Sequence, residues 1–374
     1  MESAAAFTDV ALSTDPGLER LLVQEWESLA TTAGIAAPHH ALRPFGLKGF
    51  VRIKIPAPHE QAWPLIQQLH SVHHAFRVVH FFKFGEEDPL KQLEQWFEEL
   101  DFYEAKTATR FRITSLRSGE QAFSSYDVAV LTGAIINRRY DLPVNLEDYD
   151  LDIRVQIQEE YCWIGIQWTR VPLSQRFERP YFRRVSLKLT TAWALLQLAD
   201  IPPASEATLL DPFCGSGTIL LEAAAVFPHL QLYGSDLFPE VVEGASQNLA
   251  AFDLSERVSL RQQDARHLSE HWAENSVDVL VTNPPFGLQM GRKLNLFWFY
   301  HDLLAQAARI VKPDGRVVML VLKANLLRQV IRKEGNWHSL RTLGIELGSK
   351  QLRAFVLVRR KPKAAPIPQD AAGE

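Results

Sequence analysis

The sequence predicts an α/β protein whose C-terminal half is a Rossmann-like, seven-stranded open sheet with an antiparallel last strand, preceded by an α+β region. Three observations carry this. From Thr208 onward, short apolar runs alternate with stretches of helical periodicity, and parallel strands joined by crossover helices give that alternation. The last two strand-like runs are separated only by Gly348-Ser349-Lys350, a joint that permits a hairpin and no crossover. The first 170 or so residues mix strand and helix patterns without an internal repeat.

Taken in order, residues 7–13 read as a strand, 16–30 as a helix, 49–55 as a strand, 63–70 as a helix and 75–84 as a strand. These suggest a small ferredoxin-like module over residues 1–75. A second module over 76–170 follows, with helices at 89–100 and 126–140, a strand at 110–115 and a hairpin of 151–158 with 161–169. Periodicity then vanishes, which places a linker at 171–184. The domain over 185–361 has strands at 208–210, 230–234, 258–261, 277–282 and 317–322, with helices at 218–226, 240–251 and 296–311. Pro313-Asp314-Gly315 stops the last of these helices. Runs 339–347 and 351–359 form the closing hairpin, and the Pro- and Ala-rich stretch 362–374 reads as a disordered tail.

Composition narrows the class. Of 374 residues, 47% are hydrophobic and 22% charged, which fits a globular chain with real cores. No apolar run approaches the ~18 residues a membrane span needs. The start lacks the cationic and apolar segments of a secretory signal. Cys162 and Cys214 lie far apart without metal-ligand spacing, so a reducing, cytoplasmic setting is expected, with neither zinc nor disulfide; the chain reads as a monomer. A net charge of -4 opposes bulk adhesion to nucleic acid. Locally, however, Arg170, Arg176, Arg179, Arg183, Arg184 and Lys188 face only Glu178, with Phe177, Tyr181 and Phe182 between them. That pattern suits phosphates on arginine and bases on aromatic faces, and equally a solvated linker.

Four motifs fall at the ends of predicted strands. Asp211-Pro212-Phe213-Cys214-Gly215-Ser216-Gly217-Thr218 joins strand to helix, and its glycines let backbone approach a ligand closely. With no third glycine the dinucleotide fingerprint is incomplete, and Asp211 favours a ligand carrying sulfonium and ammonium charge. Asp236, followed by Leu237, can accept both hydroxyls of a ribose, or else cap the helix near Pro239. Asp264, followed by Ala265, can accept from an adenine amino group, or be an ordinary turn residue.

The fourth motif, Asn283-Pro284-Pro285-Phe286-Gly287, is the most specific. Its prolines fix φ and donate nothing, so their carbonyls are rigidly presented beside that of Asn283. Two such acceptors can grip the hydrogens of a base amino group and stabilise the charge that develops on nitrogen as it is alkylated. Phe286 can stack on an extruded base. A Pro-rich turn after a strand is the plainer reading.

Together with Gly291-Arg292-Lys293, Asn295 and Phe299-Tyr300, these motifs resemble the THUMP-containing RNA guanine-N2 methyltransferases, the tRNA branch in particular. The resemblance is motif-specific in the second half and architectural in the first. It implies a class I methyltransferase fold using S-adenosylmethionine, with residues 76–170 as a THUMP domain gripping RNA. It also implies methylation of a guanine 2-amino group in tRNA, in the acceptor stem. Asp211, Gly215, Gly217, Asp236, Asp264 and Asn283 match the family's cofactor or catalytic positions, and Phe213, Thr218, Leu237 and Ala265 adjoin them. Ser186 stands where relatives often carry proline, which puts in doubt cofactor contacts from that stretch. The catalytic motif alone does not separate guanine N2, adenine N6 and cytosine N4, which leaves open a 23S rRNA guanine-N2 or adenine-N6 methyltransferase or a DNA enzyme. A protein-glutamine methyltransferase is opposed by the basic linker and THUMP-like half, and a non-catalytic RNA-binding protein by the intact Asp236 and Asn283-Pro284-Pro285-Phe286.

Overall fold

A computed structural model describes residues 7–36, 39–182, 186–202, 206–288 and 294–360. The chain forms two compact units, Met1–Glu178 with Leu189–Ala194, and Arg179–Lys188 with Leu195–Glu374.

The first unit contains β1 (Thr8–Ser13), α1 (Glu19–Thr32), β2 (His39–Leu42), β3 (Phe50–Ile55), α2 (His59–Ile66), β4 (Ala75–Lys83), α3 (Pro89–Glu99), β5 (Phe111–Ser118), α4 (Ser125–Tyr140), β6 (Leu151–Gln158) and β7 (Tyr161–Gln167). Its strands make one sheet in the order β2-β3-β1-β4-β7-β6-β5. The βαββαβ succession with order β2-β3-β1-β4 is ferredoxin-like. A module boundary at residue 75 nevertheless falls at the start of β4, which pairs with β1 on one side and β7 on the other. One strand therefore serves both modules, a sharing that local periodicity cannot reveal. Strand β2 is fully exposed along its length, so it gave no alternating signal. Trp26, Leu22 and Val23 of α1 pack on β1 and β3, while Leu93 and Phe97 of α3 join Val128, Ile135 and Ile136 of α4 in a second core. Serine and aspartate at Ser124 and Asp127 form a reciprocal capping box that starts α4.

The remaining elements are α5 (Leu189–Leu198), β8 (Thr208–Asp211), α6 (Thr218–Val226), β9 (Gln231–Asp236), α7 (Pro239–Ala250), β10 (Val258–Gln262), β11 (Val277–Thr282), α8 (Leu296–Ile310), β12 (Val311–Val321), α9 (Ala324–Glu334), β13 (Trp337–Leu347) and β14 (Lys350–Arg359). The second unit's sheet runs β10-β9-β8-β11-β12-β14-β13. β8 to β12 are parallel, and β14 enters antiparallel between β12 and β13. Strands buried on both faces explain the unbroken apolar runs Leu209-Leu210, Val279-Leu280-Val281 and Val317 to Val321. Strand order reverses at β8, and the crevice beyond the carboxyl ends of β8 and β11 is where open α/β sheets bind ligands.

Two expectations need correction. β12 begins at Val311, so Pro313-Asp314-Gly315 lies in the irregular first part of a strand, where Lys312 pairs with Asp278 at 2.6 Å. Helix α9 was not anticipated: its buried stripe is only Leu327, Val330 and Ile331, and no side chain caps it. The predicted tail at 362–374 lies outside the described residues.

Candidate active site

All four motifs come to the carboxyl edge of the second unit's sheet. The turn after β8 enters α6 through Gly215 and Gly217, both at positive φ (54° and 78°), a backbone that side chains with Cβ rarely adopt. Asp211 is 1% exposed. Its Oδ1 accepts from the Thr282 hydroxyl at 2.7 Å and from the Phe213 amide at 3.1 Å. Burial pushes its carboxyl up to about 7; those two bonds pull the other way, and the neighbouring charge of Asp236 adds to the rise.

Asp236 closes β9. One of its oxygens accepts from the Gly215 amide at 3.2 Å and the other from the Phe238 amide at 3.3 Å, which ties the first motif to the second. Helix α7 starts from Phe238 without a side-chain cap, so Asp236 does not serve as that cap. Asp264 caps the 3-10 turn Ala265–Glu270, accepting from the Arg266 amide at 2.9 Å and pairing with its guanidinium at 2.6 Å. That pairing holds its carboxyl below the usual range. An adenine amino group would share Asp264 with Arg266. Ala265 is buried in the core beneath, whereas Leu237 is 47% exposed at the edge.

The Asn-Pro-Pro-Phe loop is clamped from α8. The Tyr300 hydroxyl, on a residue 1% exposed, donates to the Pro285 carbonyl at 2.9 Å. Gly287 sits at φ 76°, and a Cβ there would lie 2.8 Å from Leu296 Cδ1. Asn295 caps α8 by accepting from the Phe297 and Trp298 amides. With Pro285 engaged structurally, the Pro284 carbonyl is the one that can act beside Asn283. Asn283 Oδ1 is buried and has no hydrogen-bond donor among the described residues. An acceptor left in this state costs about 1–3 kcal/mol, so its retention calls for a reason. Phe286 and Phe213 are half-buried, the latter 5.7 Å from the Phe299 ring.

The basic segment divides. Arg176 donates to the carbonyls of His70 and Leu173 in the first unit. Arg179, half-buried, donates to the Thr218 hydroxyl at 2.6 Å, and burial pulls its guanidinium below the usual arginine range. Both are turned into protein where the sequence had them on phosphates, because neighbouring acceptors give them partners that a linear reading cannot see. Arg170 bonds the Glu147 carbonyl at 3.4 Å and lies over Tyr149, and Lys188 is an exposed residue ahead of α5. Arg183 and Arg184, like Gly291-Arg292-Lys293, lie outside the described residues.

Sequence reasoning missed Thr282, Tyr300 as a clamp, and Asn248. The Asn248 amide, fully buried on α7, both accepts from Tyr181 N and donates to Tyr181 O, each at 2.8 Å, and donates to Ser216 O at 2.9 Å. The segment after Arg179 is thereby fixed to the Gly turn, and Ser186 lies 2.9 Å from Ser216. A threonine closing the apolar run Val279-Leu280-Val281 was the one available signal, and it pointed to Thr282.

This sheet order, with a Gly turn, a strand-end carboxylate and an Asn-Pro-Pro-Phe loop on one edge, defines a class I amino-methyltransferase dependent on S-adenosylmethionine. Residues 176–352 match the profile described as RMKL-like, methyltransferase domain, and residues 88–167 match the THUMP domain. The tRNA (guanine(6)-N2)-methyltransferase of Thermus thermophilus is 36% identical over 346 residues, covering 92% of this chain and 98% of that protein. The crystal structure of TrmN from the same organism superposes with a TM-score of 0.80 at 34% identity, over 94% of this chain and 100% of that one. The human U6 snRNA (guanine-N(2))-methyltransferase is 31% identical over 228 residues, which span 60% of this chain and 43% of that protein. This chain belongs to the THUMP-containing RNA guanine-N2 methyltransferase family. Among the described residues no helix is long and apolar enough to cross a membrane, and no group of three metal-ligating side chains occurs.

Proposed function

We propose that the protein methylates the 2-amino group of a guanine in the acceptor stem of tRNA, at position 6, the position given in the names of its relatives. The observation that carries this is the buried Oδ1 of Asn283, without a donor among the described residues, next to the rigid Pro284 carbonyl. Two acceptors at that spot are what an sp2-hybridised amino group needs to present its lone pair.

S-adenosylmethionine, when bound, supplies an electrophilic sulfonium methyl. The residues fit it: Asp236 would hold the ribose hydroxyls, Asp264 the adenine amino group, and Leu237 the exposed apolar rim. The Gly215–Gly217 turn and Thr218 would meet the amino-acid portion. Asp211 supports the turn through Phe213 and Thr282, and we read Arg179 as a counter-charge to the cofactor carboxylate. At the acceptor, Asn283 and Pro284 take the two amino hydrogens and favour positive charge on nitrogen, while Phe286 stacks on the base and orients it. Asn283 cannot take a proton, so the nitrogen's surplus proton leaves to water. The first unit, with its THUMP domain at residues 76–170, would hold the RNA, and Arg170 and Lys188 remain candidate phosphate ligands. Two buried free cysteines, Cys162 and Cys214, suit a reducing cytoplasm and a monomer without intermolecular disulfides.

Methyl incorporation into tRNA, rRNA and DNA tested side by side, with a tRNA carrying inosine at position 6 as control, examines the assignment. Transfer should require the 2-amino group and be lost with inosine. Incorporation into rRNA or DNA and none into tRNA would reject it. In the same assay, Asn283→Ala should lower kcat about 10²–10³-fold while leaving cofactor affinity within a few-fold, measured by calorimetry with S-adenosylhomocysteine.

A further inference from the structure

Next to the catalytic loop the sheet edge carries a second feature, so far without a role. An open surface groove of about 640 Å³ lies at the carboxyl end of β12, lined by Leu322, Lys323, Asn325, Arg328, Gln329 and Arg353 among others, with no carboxylate. β14 runs antiparallel to β12 with Arg353 opposite Val321, so strand pairing brings Arg353 to the same edge as Lys323. Thr282 is level with Met319 on the neighbouring parallel strand. Lys323 lies two residues past the end of β12, at most about 10 Å beyond the level of Asn283 along the strand direction.

Charge at this edge is of one sign, whereas several cations elsewhere in the unit are paired. Arg266, Lys312, Arg316 and Arg341 each pair with an aspartate. From Lys323 to Lys333 the chain carries Lys323, Arg328, Arg332 and Lys333 with no acidic residue. None of these four, nor Arg353, makes an ion pair with a described residue. Arg328 is held by Asn325 at 2.7 Å and lies over the Phe355 ring, and Arg353 donates to the Thr342 hydroxyl at 3.3 Å. Two of the cations are thus positioned by neutral partners, and both line the groove. In a protein of net charge -4, an unneutralised cluster beside the catalytic loop selects a polyanion.

The geometry points to a phosphate-binding subsite here, formed by Lys323, Arg328 and Arg353, that takes the RNA backbone beside the target nucleotide. It rests on the reading of RNA as substrate and adds which face of the catalytic unit the strand crosses. Its energetic role is register: phosphate contacts set where a strand lies without reading its sequence.

The test is tRNA binding by fluorescence anisotropy across a salt series, comparing wild type, Lys323→Ala, Arg353→Gln and the double variant, with Arg353→Lys as the conservative control. The double variant should bind tRNA about tenfold more weakly at low salt, with a slope of log K against log salt lower by about 1.5 to 2. Its affinity for S-adenosylhomocysteine should be unchanged, which shows that the unit has folded, and Arg353→Lys should keep most of the wild-type slope. Unchanged tRNA affinity and slope in a double variant that still binds S-adenosylhomocysteine would overturn the subsite, as would loss of S-adenosylhomocysteine binding by both single variants. Inorganic phosphate added at constant ionic strength should not displace tRNA below millimolar levels; displacement by micromolar phosphate would mean a small-anion site and count against the backbone reading. If wild type methylates tRNA but the variants match it, only the subsite fails. If wild type neither binds nor methylates tRNA, the substrate reading fails with it.

Discussion

Asp211 gives a sharp pH signature to the stability of the cofactor-free protein. Its carboxyl is lifted from 3.8 to about 7, burial being the largest cause. A folded-state value above the unfolded one means that folding favours the protonated acid. Its contribution is therefore whole below pH ~4 and is lost as pH rises through 7. The full penalty is about 4 kcal/mol, at 1.36 kcal/mol per unit. Between pH 5 and 8 roughly 3 kcal/mol of this should appear. Asn at this position mimics the protonated acid: its carbonyl can still accept from Thr282 and Phe213, and it cannot ionise. Urea unfolding of wild type and Asp211→Asn in matched buffers isolates the effect, because every other titrating group is common to both. The two should be similar below pH ~4, with wild type about 1.5 kcal/mol behind by pH 5, falling further behind to about pH 7, and the gap constant above that. A gap that stays the same from pH 5 to 8 would refute the placement of this carboxyl in a dry site.

Other consequences follow from the clamp and the buried amide. Tyr300→Phe removes the side-chain donor that Tyr300 gives the Pro285 carbonyl, a loss of about 1–1.5 kcal/mol; kcat should fall about tenfold with cofactor affinity unchanged, and an unaffected kcat would show that the loop is held by its prolines alone. Asn248→Ala breaks three bonds of a fully buried side chain and leaves the Tyr181 and Ser216 backbone groups unmet, so it should destabilise the protein by about 2–4 kcal/mol and weaken S-adenosylhomocysteine binding. Calorimetry showing wild-type affinity would separate Asn248 from the cofactor turn.

Much of the catalytic half was legible in the chain. A two-sided buried strand must be a continuous apolar run, and a strand handed to a helix through Gly215-Ser216-Gly217 must have an open backbone there. The proline pair in the Asn-Pro-Pro-Phe loop fixes its own φ angles. These are local requirements, so composition and spacing record them, and the closing hairpin was readable for the same reason. In the first half, signals were weaker where one face of an element meets water: β2 is exposed along its length, and β4 belongs to two modules at once.

What the sequence determined by itself was the inventory of chemistry: a strand-end carboxylate, a glycine turn, a rigid pair of carbonyls and an amide. Tertiary structure alone decided which partners those groups meet. It took the Pro285 carbonyl for Tyr300 and left Asn283 Oδ1 without a donor among the described residues. It turned Arg179 to Thr218, and it brought Lys323 and Arg353, 30 residues apart in the sequence, to one edge. The reason is physical: local patterns fix backbone conformation over a few residues, whereas hydrogen-bond pairing and burial are settled by long-range packing, where a donor far along the chain can claim an acceptor that local sequence leaves open.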